Sequence, residues 1–142
     1  MANFRVIKAS TTEAGVVADA TMAEVSVQVP VDGPTNTQLW LLDVTAALND
    51  AGDDLDVTVE GSLDNTNWFE VLSFVQVQGE GSAIQHYAPI QPLGNSTEFT
   101  GAGVVSPGSS INVFANYYRV RWTITEDEGN ASFTFSVGVY YN

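Results

Sequence analysis

Residues 118–125 read YRVRWTIT, and this stretch decides the fold. Its tyrosine, valine, tryptophan and isoleucine point one way along an extended chain, and its arginines and threonines point the other. Residues 132–139 (SFTFSVGV) and 54–60 (DLDVTVE) repeat the alternation. A period of two in β-branched and aromatic residues is typical of half-buried antiparallel strands. Because such a face must be covered by a second sheet, the sequence predicts an all-β, jelly-roll-like antiparallel β-sandwich.

The composition limits the classes of partner. The chain has 142 residues, which fits one domain, and it carries no cysteine. Seventeen acidic residues against four basic ones give a net charge of −13. A charge of this sign repels phosphate backbones and anionic lipid, so neither nucleic acid nor a membrane is expected as a partner. The first residues lack the pattern of a signal peptide, which favours synthesis in the cytoplasm.

Two segments interrupt the predicted strands. Residues 1–10 combine an apolar stretch with two of the four cations, and we interpret them as an N-terminal arm or an edge strand. Residues 88–110 are rich in glycine and proline without periodicity, which predicts a long loop. Residues 11–142 then form a single β-sandwich domain. Within it, residues 64–67 predict a tight hairpin turn, because Asn65 tolerates positive φ.

The sequence shows no catalytic constellation. His86 is the only histidine, and no Gly-x-Ser-x-Gly elbow is present. A lone titratable group does not define an active site. We therefore expect His86 to be a solvated or hydrogen-bonded structural residue, and we expect neither an enzyme nor a bound cofactor.

Four aspartates cluster near one turn, at Asp50, Asp53, Asp54 and Asp56. Their spacing is not that of the twelve-residue calcium loop, and no bidentate glutamate ends the segment. A solvated acidic turn is the simpler interpretation, and weak calcium binding is the alternative.

Charge pairs are predicted on the outer face of the sandwich. Arg119 and Arg121 share one face of a strand, and Asp56 and Glu60 share the corresponding face of another. Cross-strand ion pairs of this kind contribute roughly 0.2–1 kcal/mol each. The alternative is that the two arginines anchor an acidic partner.

The three tryptophans could form a sugar-binding platform only if their rings were exposed together. Trp122 alternates inward with valine and isoleucine, and Trp40 lies in an apolar strand, so both are predicted to be core residues. Trp68 follows a turn and is predicted to cap the end of the sandwich.

Three motifs carry a family resemblance. They are residues 55–68 (LDVTVEGSLDNTNW), 118–124 (YRVRWTI) and 131–137 (ASFTFSV). Together they resemble small β-sandwich virion proteins of tailed bacteriophages, over roughly residues 38–77 and 117–140. The hairpin motif also resembles discoidin-type sugar- or lipid-binding sandwiches, so it is of moderate specificity.

The resemblance implies a structural virion protein. The role that the resemblance favours most is that of a capsid decoration (cement) protein. Such a protein binds the major capsid protein on the outside of the head shell and is commonly a trimer. The alternatives are a phage tail or connector component, or a carbohydrate-binding module.

The predicted shell contact lies in the N-terminal segment. It joins an apolar stripe to the only local positive charge, and it comprises Phe4, Arg5, Val6, Ile7 and Lys8. The loop at residues 88–110 is the second candidate for contact with the shell or with another subunit.

Overall fold

Strands account for the regular structure throughout the described part of the chain. The computed structural model describes residues 3–14, 23–28, 38–48, 52–79, 83–90, 109–110, 115–127 and 131–141. The strands are β1 (Asn3–Ala14), β2 (Ala23–Gln28), β3 (Gln38–Leu48), β4 (Asp54–Ser62), β5 (Trp68–Ser73), β6 (Val77–Gln78), β7 (Ile84–Ile90), β8 (Ser109–Ser110), β9 (Tyr117–Thr125) and β10 (Ser132–Tyr141). Within these ranges there is no helix with the length and hydropathy needed to cross a membrane.

The strands form two antiparallel sheets. The four-stranded sheet has the order β1-β10-β3-β7, and the six-stranded sheet has the order β2-β9-β4-β5-β8 with β6 paired to β4. Every pairing between the described strands is antiparallel. The predicted all-β antiparallel sandwich is therefore confirmed.

The pairing order gives the jelly-roll arrangement. With the two-residue strands β6 and β8 set aside, eight strands remain, and they pair first with last, second with seventh, third with sixth and fourth with fifth. These pairs are β1 with β10, β2 with β9, β3 with β7 and β4 with β5. The chain is thus one long hairpin of paired segments rolled into two facing sheets, which is how a jelly roll encloses its core.

The alternation in the sequence positions the core between the sheets. Buried and half-buried residues alternate along β4 and β9, and along most of β10. The largest fully buried side chains include Trp40, Tyr118, Phe133, Phe135, Leu42 and Leu55. Burial of these rings and branched chains, at about 25 cal/mol per Å² of apolar surface, is the main favourable contribution to folding.

A buried polar chain links the two sheets. On β3, the Trp40 indole Nε1 donates to Gln38 Oε1 at 3.0 Å, and Gln38 Nε2 donates to the Tyr118 hydroxyl on β9 at 3.0 Å. The same hydroxyl accepts the backbone N–H of Ala115 at 2.9 Å. Buried polar groups that are satisfied in this way fix the register of one sheet against the other.

The predicted hairpin turn lies between β4 and β5. Asn65 has φ of 60°, the left-handed conformation expected for it. The Asp64 carboxylate accepts the backbone N–H groups of Thr66 and Asn67 at 2.9 and 2.8 Å, and it also accepts the Ser62 hydroxyl. These hydrogen bonds hold the pKa of Asp64 below its ordinary value, the backbone N–H of Asn67 being the largest cause.

The predicted long loop needs correction at both ends. Residues 88–90 belong to β7, and residues 109–110 form β8, while residues 91–108 lie outside the described part of the chain. Pro89 does not prevent strand formation, because β7 lies at the edge of its sheet in the described structure, where proline is tolerated.

Of the two interpretations of the N-terminal segment, the structure shows the edge strand. β1 pairs along β10 from Asn3 to Ala14, so the sandwich begins within the first ten residues and not at residue 11. The pairing shifts register between Val6 and Lys8 and again between Lys8 and Thr11. Such bulges discourage the pairing of an edge strand with other chains.

Candidate functional site

The N-terminal strand contributes to an exposed apolar surface on the outer face of the four-stranded sheet. Phe4 and Val6 are 49% and 50% exposed, and the Phe4 ring centroid lies 4.4 Å from that of Tyr140. Phe4 lies over Gly138, where an added Cβ would come within 2.6 Å of its ring. Glycine at this position therefore leaves room for the aromatic ring.

Two of the five predicted shell-contact residues are not available at this surface. Ile7 is 4% exposed and belongs to the core, and Lys8 is 3% exposed. The register shift on either side of Lys8 breaks the alternation and directs both side chains inward. Arg5 is half-buried. The predicted set of contact residues is therefore corrected: Phe4 and Val6 are the ones whose apolar side chains are exposed.

The Lys8 ammonium is buried among aromatic rings and hydrogen-bond partners, so its charge is not exposed for binding a partner. Its Nζ lies 4.0 Å from the ring centroid of Phe135 and 4.9 Å from that of Trp122. It donates to Thr11 Oγ1 at 2.8 Å and to the Phe135 carbonyl at 3.2 Å, and it pairs with Glu13 at 3.3 Å. Burial lowers the pKa of Lys8, and the hydrogen bond to Glu13 opposes that shift. The ammonium fastens β1 to the body of the sandwich.

On the six-stranded sheet, one glutamate holds both arginines. Glu60 accepts Nε of Arg119 through one carboxylate oxygen and Nη1 of Arg121, at 3.0 Å, through the other. Asp56 accepts hydrogen bonds at 3.2 Å from Gln76, a residue that follows β5. The structure thus brings Glu60 together with both predicted arginines and places Asp56 beside an amide. These contacts are side-chain ladders within one sheet.

The tryptophans do not form a common exposed surface. Trp40 is fully buried and Trp122 is 4% exposed, as expected for core residues. Trp68 is half-buried at the end of the hairpin, and the Arg119 guanidinium lies 4.4 Å above its ring. A sugar could not stack on the ring face that the guanidinium occupies.

The aspartate cluster lies where β4 begins. Asp53 is buried and accepts the backbone N–H of Asp127 at 3.3 Å. Asp54 Oδ1 is buried and has no hydrogen-bond partner in the described structure. Asp50 lies outside the described residues. Within the described ranges, no group of three acidic, histidine or cysteine side chains has the geometry to hold a metal ion.

Asp54 →Asn is expected to stabilise the protein at neutral pH. Burial raises the pKa of Asp54, with further contributions from Asp56, Asp53 and Asp127. A carboxyl whose folded pKa is raised destabilises the fold above that pKa and is neutral below its unfolded value of 3.8. The gain should be roughly 0.2–1 kcal/mol at pH 7, because the group is only partly buried.

Urea titrations across the acidic range check this expectation. The gain from Asp54→Asn should shrink as the pH falls and vanish near the unfolded pKa. Asp43→Asn, which removes the same charge outside the cluster, is the control. A gain that is the same at every pH would contradict the assigned cause.

His86 differs from its prediction. It is 3% exposed on the inner side of β7, in register with Leu42, and neither ring nitrogen has a hydrogen-bond partner in the described structure. It is therefore neither solvated nor hydrogen-bonded as expected. Burial lowers the pKa of His86, which favours the neutral imidazole.

Comparisons with known proteins agree with the jelly-roll geometry. No protein-family model matches the chain, and no curated protein matches it. The chain is similar to one in the structure of the infectious bursal disease virus Gx strain, with a TM-score of 0.56 and 9% sequence identity. The match covers 99% of this chain and 32% of the viral chain, so this chain spans about a third of the viral chain's length. At this identity the likeness shows a shared fold.

Proposed function

We propose that this chain is a non-enzymatic structural protein of a virion. The observation that carries the proposal is the fold match to a chain of a virus structure over 99% of the present chain. Jelly rolls are the recurrent architecture of viral capsid domains and also of lectin domains, so the fold alone does not decide between them. The sequence resemblance to phage virion proteins favours a capsid-type protein over a lectin.

Within this class we propose a capsid decoration protein of a tailed bacteriophage, which binds the major capsid protein on the outside of the head shell. A net charge of −13 suits a protein that must stay dispersed at high copy number before it binds. A sandwich with sheets linked by a buried polar chain is stiff, so it can brace neighbouring shell subunits. Weak contacts repeated over a shell accumulate avidity.

The carbohydrate-binding alternative has less support. Two of the three indoles are buried, and the third lies beneath an arginine. The tryptophans therefore offer no shared stacking surface.

Quantitative mass spectrometry of purified virions tests the proposed function. A decoration protein should occur in fixed proportion to the major capsid protein. A few copies per particle would move the protein to the tail or connector. Its absence from washed particles would overturn the virion role.

Particles from which the protein has been removed provide the second arm. Adding back the purified chain should restore both its copy number and the resistance of the particles to heat. Particles that gain the protein without any change in heat resistance would contradict a cementing role.

A further inference from the structure

The exposed surface around Phe4 extends across the whole four-stranded sheet. The strand registers align two rows of residues on its outer face, one in line with Phe4 and the other in line with Val6. The first row is Phe4, Tyr140, Leu39 and Pro89, and the second is Val6, Gly138, Leu41 and Tyr87. Apart from Gly138, all of these residues are half-buried or exposed. We call these eight residues the outer-face patch.

The patch carries no charge, although the protein around it is strongly acidic. Its eight residues include no aspartate, glutamate, lysine, arginine or histidine, whereas the chain has a net charge of −13. Its border on β3 and β7 is polar, because Gln85 donates to Asp43 at 3.1 Å and the Tyr87 hydroxyl donates to Gln85 at 3.1 Å. An uncharged apolar centre with a polar border is the composition of a protein interface.

We propose that the outer-face patch is a contact between two copies of this chain. A basic partner would be recognised through carboxylates, and the two rows contain none. A second copy, by contrast, presents the same uncharged apolar rows. Here two acidic molecules can meet through two rows that contain no carboxylate, with Asp43 at the border. The proposal assigns Phe4 and Val6 to this contact and not to the shell, and it does not depend on the virion role.

The dimensions of the sheet set the expected strength. Four strands spaced about 4.8 Å apart, over the seven residues of β7 at about 3.4 Å each, cover roughly 450 Å² of flat surface. A standard stable interface buries about 800 Å² on each partner. The contact is therefore weak in solution, and it becomes populated where copies are concentrated. Because each copy uses the same patch, the contact closes at two copies and does not build the trimer implied by the resemblance.

Salt gives this contact a distinctive response. Screening reduces the repulsion between two acidic molecules, so association should strengthen as the salt concentration rises. A contact made by opposite charges would weaken under the same conditions.

Sedimentation equilibrium of the full chain tests the proposal. At low and high sodium chloride, the mass should rise with protein concentration from monomer towards dimer, and more steeply at high salt. Val6→Lys should weaken association at least tenfold, because it places a charge within one of the two apolar rows. Leu63→Lys is the matched control, since Leu63 is 63% exposed in the turn after β4. Each substitution adds one positive charge.

The paired lysine variants separate an apolar contact from a general charge effect. If net charge alone governed association, both variants would associate more strongly than the wild type. Equal behaviour of the two variants, a monomer at every concentration and salt, or weakening with salt would each overturn the proposal.

Cross-linking locates the contact independently of stability. The chain has no cysteine, so Leu41→Cys places a single thiol near the middle of the patch. A short bis-maleimide should join two copies at this position and should not do so in Leu63→Cys. Equal cross-linking at both positions would assign the contact to another face. Loss of particle binding in Val6→Lys, with no self-association of the wild type, would return the surface to the shell.

Discussion

Tyr118→Phe is expected to lower the free energy of unfolding by about 2–4 kcal/mol, although it removes a single oxygen atom. The hydroxyl accepts from Gln38 on the opposite sheet and from the backbone N–H of Ala115. Both donors are buried, so neither can turn to bulk water when the oxygen is lost. Each orphaned donor costs about 1–3 kcal/mol. Urea titration followed by tryptophan fluorescence measures the change.

Tyr140→Phe is the matched control for this change. Tyr140 is 39% exposed on the outer face, so water can replace any hydrogen bond its hydroxyl makes, and we expect less than about 0.5 kcal/mol. If the two variants were equally stable, the buried polar chain would not hold the sheets together as described.

Phe135→Ala is expected to cost about 3–5 kcal/mol, which is the range for a buried phenylalanine. Phe135 is fully buried, and its ring lies nearly perpendicular to that of Trp122, with the centroids 5.6 Å apart. The substitution also removes the nearer of the two rings beneath the Lys8 ammonium. The strand that this lysine fastens, β1, should therefore loosen before the rest of the sandwich.

Hydrogen exchange distinguishes this local effect from general destabilisation. In Phe135→Ala, the amides of residues 3–14 should lose protection to a greater degree than those of β4 and β9. Phe4→Ala makes the same truncation on an exposed ring and should cost about 1 kcal/mol or less. Uniform loss of protection in Phe135→Ala would show that Lys8 does not anchor β1.

The strands that sequence predicts best are those in which one face is buried along the full length. β4, β9 and β10 alternate because every second residue faces the other sheet, and the alternation can be read directly from the sequence. The turn at Asn65 was likewise predictable, since few residues adopt its conformation.

The remaining features depend on contacts that no local pattern shows. β7 contains a proline, which is compatible with a strand because β7 lies at the edge of its sheet in the described structure. Lys8 is buried because aromatic rings from β9 and β10 meet above β1. One feature of the sequence does indicate the bulge beside Lys8. Val6 and Ile7 are apolar residues at consecutive positions, which interrupts a period of two.

The outer-face patch could not be recognised from sequence either. Its residues come from four strands that lie far apart along the chain, and only the registers align them. Exposed apolar residues are common on any protein, and it is their alignment in adjacent rows that carries the inference.

The position of β10 between β1 and β3 has a consequence for how the protein is made. While the chain emerges from the ribosome, β1 and β3 have no strand to join them until residues 132–141 have been synthesised. Residues of β1 must then pair with residues of β10, which are far away along the chain, as Phe4 does with Tyr140. Such distant pairing makes folding slow, and until it is complete the unpaired strand edges are prone to aggregation. Nascent chains should therefore depend on chaperones until β10 has been synthesised.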